Sequence, residues 1–215
     1  KDPIRSVWTP HGYSPVEPEA TPDPDLELVS REWHPHALKS RFQWKQVDVE
    51  QDMLALQAGA MSQLRFARSV SGFSLEGESN GSAAVQRLHD GVKVKEMAPR
   101  ARPVEYRVSL HPAPDRVEVM GIDAAGVSQG KARWRFHWNQ AASVTVRVTI
   151  NDGNGLEPDA RLQNPDAFSK TLVEQKRDWA RYYQKHIVRV ETPDERINRL
   201  VDYLGWVYRS NGLYR

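Results

Sequence analysis

The strongest constraint on the fold of this chain is an alternation of apolar and polar side chains in its middle part. The segments VEYRVSL (104–110), RWRFHW (133–138) and SVTVRVTI (143–150) all show it. Because successive side chains of a β-strand point to opposite faces, each segment predicts a strand with one buried face. Several short strands of this kind, separated by turns, are typical of an antiparallel sandwich. The predicted fold class is mainly β: an antiparallel β-sandwich followed by two C-terminal α-helices.

Turn-forming residues divide the neighbouring sequence into further strands. Asp90-Gly91 joins AAVQRL (83–88) to GVKVKEM (91–97), and HPAPD leads into RVEVMGID (116–123). QLRFARSV (63–70) and GFSLEG (72–77) are interpreted as two more strands. Residues 139–143 are short enough to join 133–138 and 143–150 in a hairpin. WKQVDVEQDMLALQAGA (44–60) fits a helix or a strand, and we favour a strand.

Changes in composition divide the chain into four regions. Residues 1–40 are rich in proline, which fixes φ and removes a hydrogen-bond donor, so this region is predicted to be an extended arm. The sandwich is assigned to residues 41–160 and a linker helix to 161–187, where apolar side chains recur every three or four residues. Residues 188–215 are predicted to begin a helical domain. Thr192 is expected to be the N-cap and to form a capping box with Glu195.

The closing helix is apolar over more than one side. Tyr203 and Trp206 lie off its main apolar stripe, which consists of Ile197, Leu200, Val201, Leu204 and Tyr208. A helix of this kind needs neighbours on more than one side. We therefore interpret the chain as the front part of a larger protein, cut just inside a helical domain. The alternative is a complete small protein whose last helix packs on its own sheet or at a dimer interface.

Composition and motifs exclude several classes of function. The chain has no cysteine, which removes disulfides, thiolate nucleophiles and cysteine-ligated metal sites. Its net charge is only +2 and it has no long run of Lys or Arg, so we predict no nucleic-acid partner. No apolar run is long enough to cross a bilayer, and no membrane partner is predicted. The compartment stays open. No nucleotide-binding, serine-hydrolase or zinc-protease motif occurs, and no cofactor is predicted.

Two sets of polar residues are candidates for chemical sites. His34 and His36 could chelate a metal, but a third ligand is needed, so packed or solvated histidines are favoured and no metal site is predicted. Glycosidase chemistry needs two carboxylates that face each other across a sugar. No sequence context singles out any of the candidates, so no catalytic residue is predicted; they are Asp123, Asp152, Glu157, Asp159 and Glu191.

Aromatic residues provide the candidates for carbohydrate contact. Trp134 and Trp138 share one face of a strand and could form a flat platform for stacking on sugar rings. The competing interpretation is that these rings fill the sandwich core. Trp206, Tyr208 and Asn211 of the closing helix complete the set of carbohydrate-contact candidates.

The last 38 residues resemble a known junction between two domains. DWARYYQKHIVRVETPDERINRLVDYLGWVYRSNGLYR (178–215) is similar to the segment that joins an N-terminal β-supersandwich to an (α/α)6 catalytic barrel in bacterial glycoside hydrolases. That group includes glucoamylase-like enzymes, amylo-α-1,6-glucosidases and sugar phosphorylases. Trp179 matches the tryptophan of the linker helix. The opening of the first barrel helix is matched by Thr192, Pro193, Asp194, Ile197 and Asn198.

This resemblance implies an accessory domain that braces a catalytic barrel and is inactive by itself. The catalytic acid and base would lie on later parts of the barrel. Two partners are implied: an oligo- or polysaccharide, bound through the full-length enzyme, and the missing barrel or a second chain on the C-terminal helix. Two other functions stay open. The chain could be a carbohydrate-binding sandwich, or an interaction module that dimerises through its closing helix.

Overall fold

The structure is a computed structural model that describes residues 26–34, 36–56, 58–97, 104–151, 159–186 and 191–212, together with short segments at 4–5, 8–9 and 12–13. Two helices, α1 (Phe168–His186) and α2 (Glu195–Gly212), follow the strands, and α1 is preceded by 3₁₀ turns at Ala160–Gln163 and Pro165–Ala167. The strands are β1 (Ile4–Arg5), β2 (Trp8–Thr9), β3 (Gly12–Tyr13), β4 (Leu26–His34), β5 (Ala37–Trp44), β6 (Val47–Leu56), β7 (Gly59–Glu78), β8 (Ala83–Arg87), β9 (Gly91–Glu96), β10 (Val104–His111), β11 (Arg116–Met120) and β12 (Arg133–Asn151). The predicted class, mainly β with two C-terminal helices, is confirmed.

One large sheet contains nearly all of these strands. Its order is β4-β5-β6-β7-β12-β10-β9-β8, and every pair on this path is antiparallel. In addition, β1 pairs with β7 and β11 pairs with β12, while β2 and β3 form a separate pair. The predicted pairing of 83–88 with 91–97 is confirmed, and so is the strand interpretation of 44–60.

Two long strands turn this sheet into a sandwich. β7 has 20 residues and β12 has 19, and they pair along almost their whole length. The first half of β7 and the second half of β12 lie between β6 and β10, whereas their other halves lie between β1 and β11. The pairing shifts register between Ala141 and Ser143, and Gly72 takes a φ of 66° nearby. The long strands therefore bend and belong to both layers.

The predicted hairpin at residues 139–143 is consequently wrong. This segment continues a single strand, in which Asn139 and Gln140 are exposed and Ala141 is buried. A register shift in mid-strand resembles a turn in the sequence, because it interrupts the alternation of apolar and polar residues for a few positions. For the same reason, the segments 63–70 and 72–77 belong to one strand and not to two.

The main core lies between the two layers. Phe73 in the second half of β7 packs edge-on against Phe66 in its first half, with ring centroids 4.8 Å apart, and against Trp44 of β5 at 5.6 Å. Tyr106 of β10 contacts Trp134 of β12 at 6.4 Å. The contacts of Trp44 with Phe73 and of Tyr106 with Trp134 connect residues that are almost 30 positions apart in the sequence. Fully burying a large aromatic side chain of this kind stabilises a fold by about 3–5 kcal/mol relative to alanine.

A smaller core lies beneath α1, on the outer face of the layer that contains β6 and the first half of β7. It contains Ala37, Leu54, Met61, Leu162 and Phe168, all buried. Leu162 comes from the first 3₁₀ turn and Phe168 is the first residue of α1, so these two residues fix the start of the helix on the sheet. The predicted linker helix therefore begins by packing on the sandwich.

Beside this core the outer face carries a polar network. The side chain of Asp52 is only 6% exposed, and Arg65 donates a hydrogen bond of 2.7 Å to its carboxylate. Arg65 also donates to Gln63, whose amide donates to Thr145. Because a buried carboxylate without a partner is costly, Arg65 is the residue that allows Asp52 to lie in this position.

The boundary predicted for the proline-rich arm is too late in the chain. Within the predicted arm, β4 already forms a long strand of the sheet, because it pairs with β5 from Leu26↔Trp44 to His34↔Ala37. Residues 14–25, which contain most of the predicted arm's prolines, lie outside the described residues. The prolines concealed the strand, because they lie just before it and only Pro35 follows it.

Candidate docking surface

Helix α2 begins at a cap that differs from the predicted one. The Oδ1 atom of Asp194 accepts hydrogen bonds from the backbone N–H and Nε of Arg196, which is how an N-cap side chain satisfies a first-turn donor. The Thr192 hydroxyl instead donates to the Asp194 carbonyl. The predicted capping box of Thr192 with Glu195 is therefore wrong. Asn198 holds Thr192 from both sides, because it accepts from the Thr192 N–H and donates to the Thr192 carbonyl.

The apolar stripe of α2 is open to solvent. Ile197, Leu200 and Leu204 of this stripe are 46, 54 and 47% exposed, and Tyr203 beside the stripe is 46% exposed. Such values are unusual for the apolar face of an amphipathic helix, because that face normally provides most of the helix's tertiary stability. Side-chain burial at residues 206–212 lies outside the described part of the chain.

Strand β4 also exposes apolar side chains, and one of them contacts α2. Trp33 contacts Tyr203 of α2 edge to face, with ring centroids 5.6 Å apart. Leu28, Val29 and Trp33 on β4 are 48, 60 and 39% exposed. We call the exposed apolar residues of β4 and α2 the docking surface; they are Leu28, Val29, Trp33, Ile197, Leu200, Tyr203 and Leu204.

The part of the docking surface on β4 was missed in the sequence because it fell within the predicted arm. The residues LELV (26–29) contain a usable signal, an apolar residue at every second position from Leu26 to Leu28. Trp33 had no signal of its own, because only the fold brings it beside Tyr203.

Helix α1 carries an aromatic cluster near its C-terminal end. Trp179 lies 5.7 Å from Tyr182 and 5.9 Å from Tyr183, and Tyr182 lies 5.0 Å from His186, measured between ring centroids. Trp179 is the residue matched to the linker position, and it is partly buried. Contacts between side chains three or four positions apart stabilise a helix, so the cluster supports the C-terminal part of α1.

The predicted carbohydrate platform of Trp134 and Trp138 is wrong. Trp134 is 3% exposed and Trp138 is 1% exposed, so neither ring presents a face to a sugar. Trp138 donates a hydrogen bond of 3.1 Å from Nε1 to the Pro112 carbonyl, which satisfies its one polar atom inside the core. The competing interpretation, that these rings fill the sandwich core, is confirmed. Trp206, Tyr208 and Asn211 stay predictions, because their side chains lie outside the described part of the chain.

His34 and His36 lie close together, with ring centroids 5.5 Å apart. Burial, together with the smaller effects of the neighbouring His34, Lys176 and Lys39, lowers the pKa of His36 to about 4, against the opposing effect of Asp52. In the ranges that the structure describes, no group of three or more His, Cys, Asp or Glu side chains could hold a metal ion. Within the same ranges, no helix is long and apolar enough to cross a membrane.

A groove of about 360 Å³ lies on the outer face of the layer formed by β11, the first half of β12 and the second half of β7. It is lined by Glu76, Met120, Gly121, Lys131, Arg133 and Arg135. Its charges are paired within the sheet. Arg135 forms an ion pair with Glu76, while Lys131 and Arg133 both lie beside Glu78, at 2.8 and 3.5 Å. Rows of paired charges of this kind are typical of the solvated face of an antiparallel sandwich. The groove therefore offers no free charge or aromatic platform.

Comparison with known proteins gives only distant similarity. No protein-family model matches the chain, and no curated protein matches it either. Solved structures similar to it include a family GH92 α-mannosidase from Bacteroides thetaiotaomicron in complex with mannoimidazole, with a TM-score of 0.37 and 8% sequence identity. That alignment covers 72% of this chain and 22% of the mannosidase. A second structure of the same enzyme gives a TM-score of 0.38 at 8% sequence identity. That alignment covers 72% of this chain and 23% of the mannosidase chain. The chain thus spans less than a quarter of these enzymes.

Proposed function

We propose that this chain is a non-catalytic accessory domain of a carbohydrate-active glycoside hydrolase. In this proposal the docking surface holds a helical catalytic domain, and the sandwich braces that domain. The substrate is an oligo- or polysaccharide that the helical domain binds. The resemblance of residues 178–215 to the junction before an (α/α)6 barrel supports the choice of a helical partner of the glucoamylase-like kind.

The half-exposed apolar stripe of α2 is the observation that carries this proposal. Burying a Leu or Ile side chain fully stabilises a protein by about 1.5–3 kcal/mol relative to leaving it exposed. Ile197, Leu200 and Leu204 gain only part of that in the described structure. Exposed apolar patches bordered by polar residues are typical of interaction surfaces.

Two of the five candidate carboxylates also support a non-catalytic role; Asp152 and Glu157 lie outside the described residues. A glycosidase's general acid needs a raised pKa so that it holds a proton near neutral pH. Hydrogen bonds from the Arg161 side chain instead lower the pKa of Asp159, despite its partial burial. Asp123 accepts hydrogen bonds from the backbone N–H groups of Ala125 and Val127, so it shapes a turn.

The first test is the reading frame that encodes the chain. If it continues past Arg215 into a helical domain, the longer protein should hydrolyse α-glucosidic substrates, and the 215-residue chain should not. Leu200→Asp together with Leu204→Asp should then lower the activity or the thermal stability of the longer protein, because two charges would enter the contact. Val173→Asp is the matched control, since Val173 is 67% exposed on α1 and lies outside the docking surface. Hydrolysis by the isolated chain would contradict the proposal. So would a Leu200→Asp/Leu204→Asp double variant whose effect is no larger than that of Val173→Asp.

The same exposed stripe favours one second candidate, an interaction module that dimerises through α2. If the reading frame ends at Arg215, this candidate predicts a dimer in which Leu204 is buried. Leu204→Asp should then give a soluble monomer by light scattering. An unchanged mass would exclude α2 as the interface.

A further inference from the structure

Helix α1 and the 3₁₀ turns before it are held on the sandwich by a core of their own. Leu162 and Phe168 are buried in the small core, which shares no buried residue with the main core in the described ranges. The sheet separates the two cores, because the small core lies on its outer face and the main core lies between the layers. Residues 159–186, which comprise the two turns and α1 and which we call the strap, can therefore leave the sheet without opening the main core.

Single hydrogen bonds add to the small core at two places. Nη1 of Arg147 on β12 donates to the carbonyls of Leu162 and Gln163, at 3.0 and 3.1 Å. Further along the strap, Nε2 of Gln175 donates to the Ala55 carbonyl at 2.8 Å. A small apolar cluster with a few exposed hydrogen bonds opens at a lower free energy than a large continuous core. The strap is thus the part of the described chain best suited to local opening.

His36 lies where the strap meets the sheet. The next residue, Ala37, belongs to the small core, and the rings of His34 and His36 are 5.5 Å apart. Lys176 of α1 is one of the charges that act on His36. The other charged groups around this histidine pair are Glu32 on β4, Lys39 on β5 and Asp52 on β6. A proton on His36 therefore adds a positive charge near two lysines, one on the sheet and one on the strap.

We propose that acid opens the strap from the folded sandwich, and that protonation of His36 is the trigger. In the closed form, burial and the nearby charges lower the pKa of His36 from 6.5 to about 4. Opening takes Lys176 away and exposes the imidazole, so the open form binds a proton at a higher pH than the closed form does. Acid therefore favours the open form as the pH falls from 6.5 to about 4.

The difference in proton binding between the two forms sets the largest possible effect. If opening restores the ordinary pKa of His36, the opening constant rises about twentyfold between pH 7 and pH 5. One ion pair opposes this effect, because Nε2 of His111 on β10 lies 3.6 Å from Oδ1 of Asp166 in the strap. These two side chains are 50 and 81% exposed, and exposed pairs contribute little. The strap does not depend on the proposed accessory function, and its failure would leave that function unaffected.

Hydrogen exchange of the 215-residue chain tests the proposal, followed by mass spectrometry at pH 7 and pH 5 and corrected for intrinsic exchange rates. Amides of α1 should be less protected than those of β7 and β12 at both pH values. The opening of α1 should rise about twentyfold from pH 7 to pH 5 in the wild type, and less than about threefold in His36→Gln. His137→Gln is the matched control and should keep the full rise, because His137 lies in the other layer, opposite Arg116 of β11.

A substitution in the main core distinguishes local opening from global unfolding. Phe73→Leu weakens packing that the open strap keeps. It should therefore speed exchange in β7 and β12 at least about fivefold and leave α1 within about twofold of the wild type. Equal protection of α1 and the two long strands would overturn the proposal. So would an α1 that accelerates with β7 in Phe73→Leu, or a rise of α1 opening in His36→Gln as large as in the wild type.

Discussion

Gly77 makes room for the indole ring of Trp134, and this close approach gives the sharpest test of the core. A Cβ atom added at residue 77 would lie 2.7 Å from Cε2 and 3.1 Å from Cζ2 of that ring, and nearer still to Nε1. Non-bonded carbon atoms prefer a separation of about 3.5–4.0 Å, so the ring would have to move. Trp134 is 3% exposed and packs against Tyr106, which leaves it little room.

The expected cost of Gly77→Ala follows from these contacts. Overpacking a filled core costs about 1–3 kcal/mol. Alanine also restricts the unfolded chain, which offsets about 0.4–1 kcal/mol of that cost. We therefore expect a net loss of about 1–2 kcal/mol in the free energy of unfolding, and a melting temperature lower by about 2–8 °C for a chain of this length.

Urea unfolding provides the assay, because a pure stability change moves the midpoint and leaves the slope unchanged. Gly81→Ala is the control, since a Cβ there would meet no atom within 4 Å. It should destabilise by less than about 0.5 kcal/mol. In a Trp134→Leu background, which lacks the obstructing ring atoms, Gly77→Ala should cost at least about 0.5 kcal/mol less than in the wild type. Equal stability of the two alanine variants would refute the reasoning.

Three further predictions concern polar residues. Arg65→Met removes the partner of the buried Asp52 carboxylate and should lower the free energy of unfolding, measured in urea, by about 1–3 kcal/mol. The loss should be smaller when Asp52→Asn is added. An equal or larger loss in the double variant would contradict the pairing. Because the pKa of His36 is lowered from 6.5 to about 4, the unfolded chain binds more protons between these pH values, so stability should fall as the pH drops through that window. His36→Gln should flatten this pH dependence in thermal unfolding, and an unchanged slope would assign the effect to other groups. Asp194→Ala should speed amide hydrogen exchange in the first turn of α2 more than Thr192→Ala does; equal effects would argue against Asp194 as the cap.

The sequence predicted the class of this fold because alternation is a local property. Each of the segments around Tyr106, Trp134 and Val146 alternates by itself, and each forms part of a strand. The C-terminal helices were equally visible, since a recurrence of three or four residues needs no knowledge of the partner. The core role of Trp134 and Trp138 was one of two interpretations. Only burial in the folded chain decides between an aromatic row in a core and the same row on a surface.

Tertiary structure alone decided which strands are continuous and which residues meet. Residues 139–143 have the composition of a turn, yet β7 pairs with the segment on both sides and keeps β12 as one strand. Asp194 and not Thr192 caps α2, because Asn198 holds Thr192 through its backbone groups. Trp33 and Tyr203 lie 170 positions apart and become neighbours only when β4 and α2 are in place. The physical reason is the same in each case: periodicity records which side of an element is apolar, whereas pairing, capping and docking depend on groups supplied by distant parts of the chain.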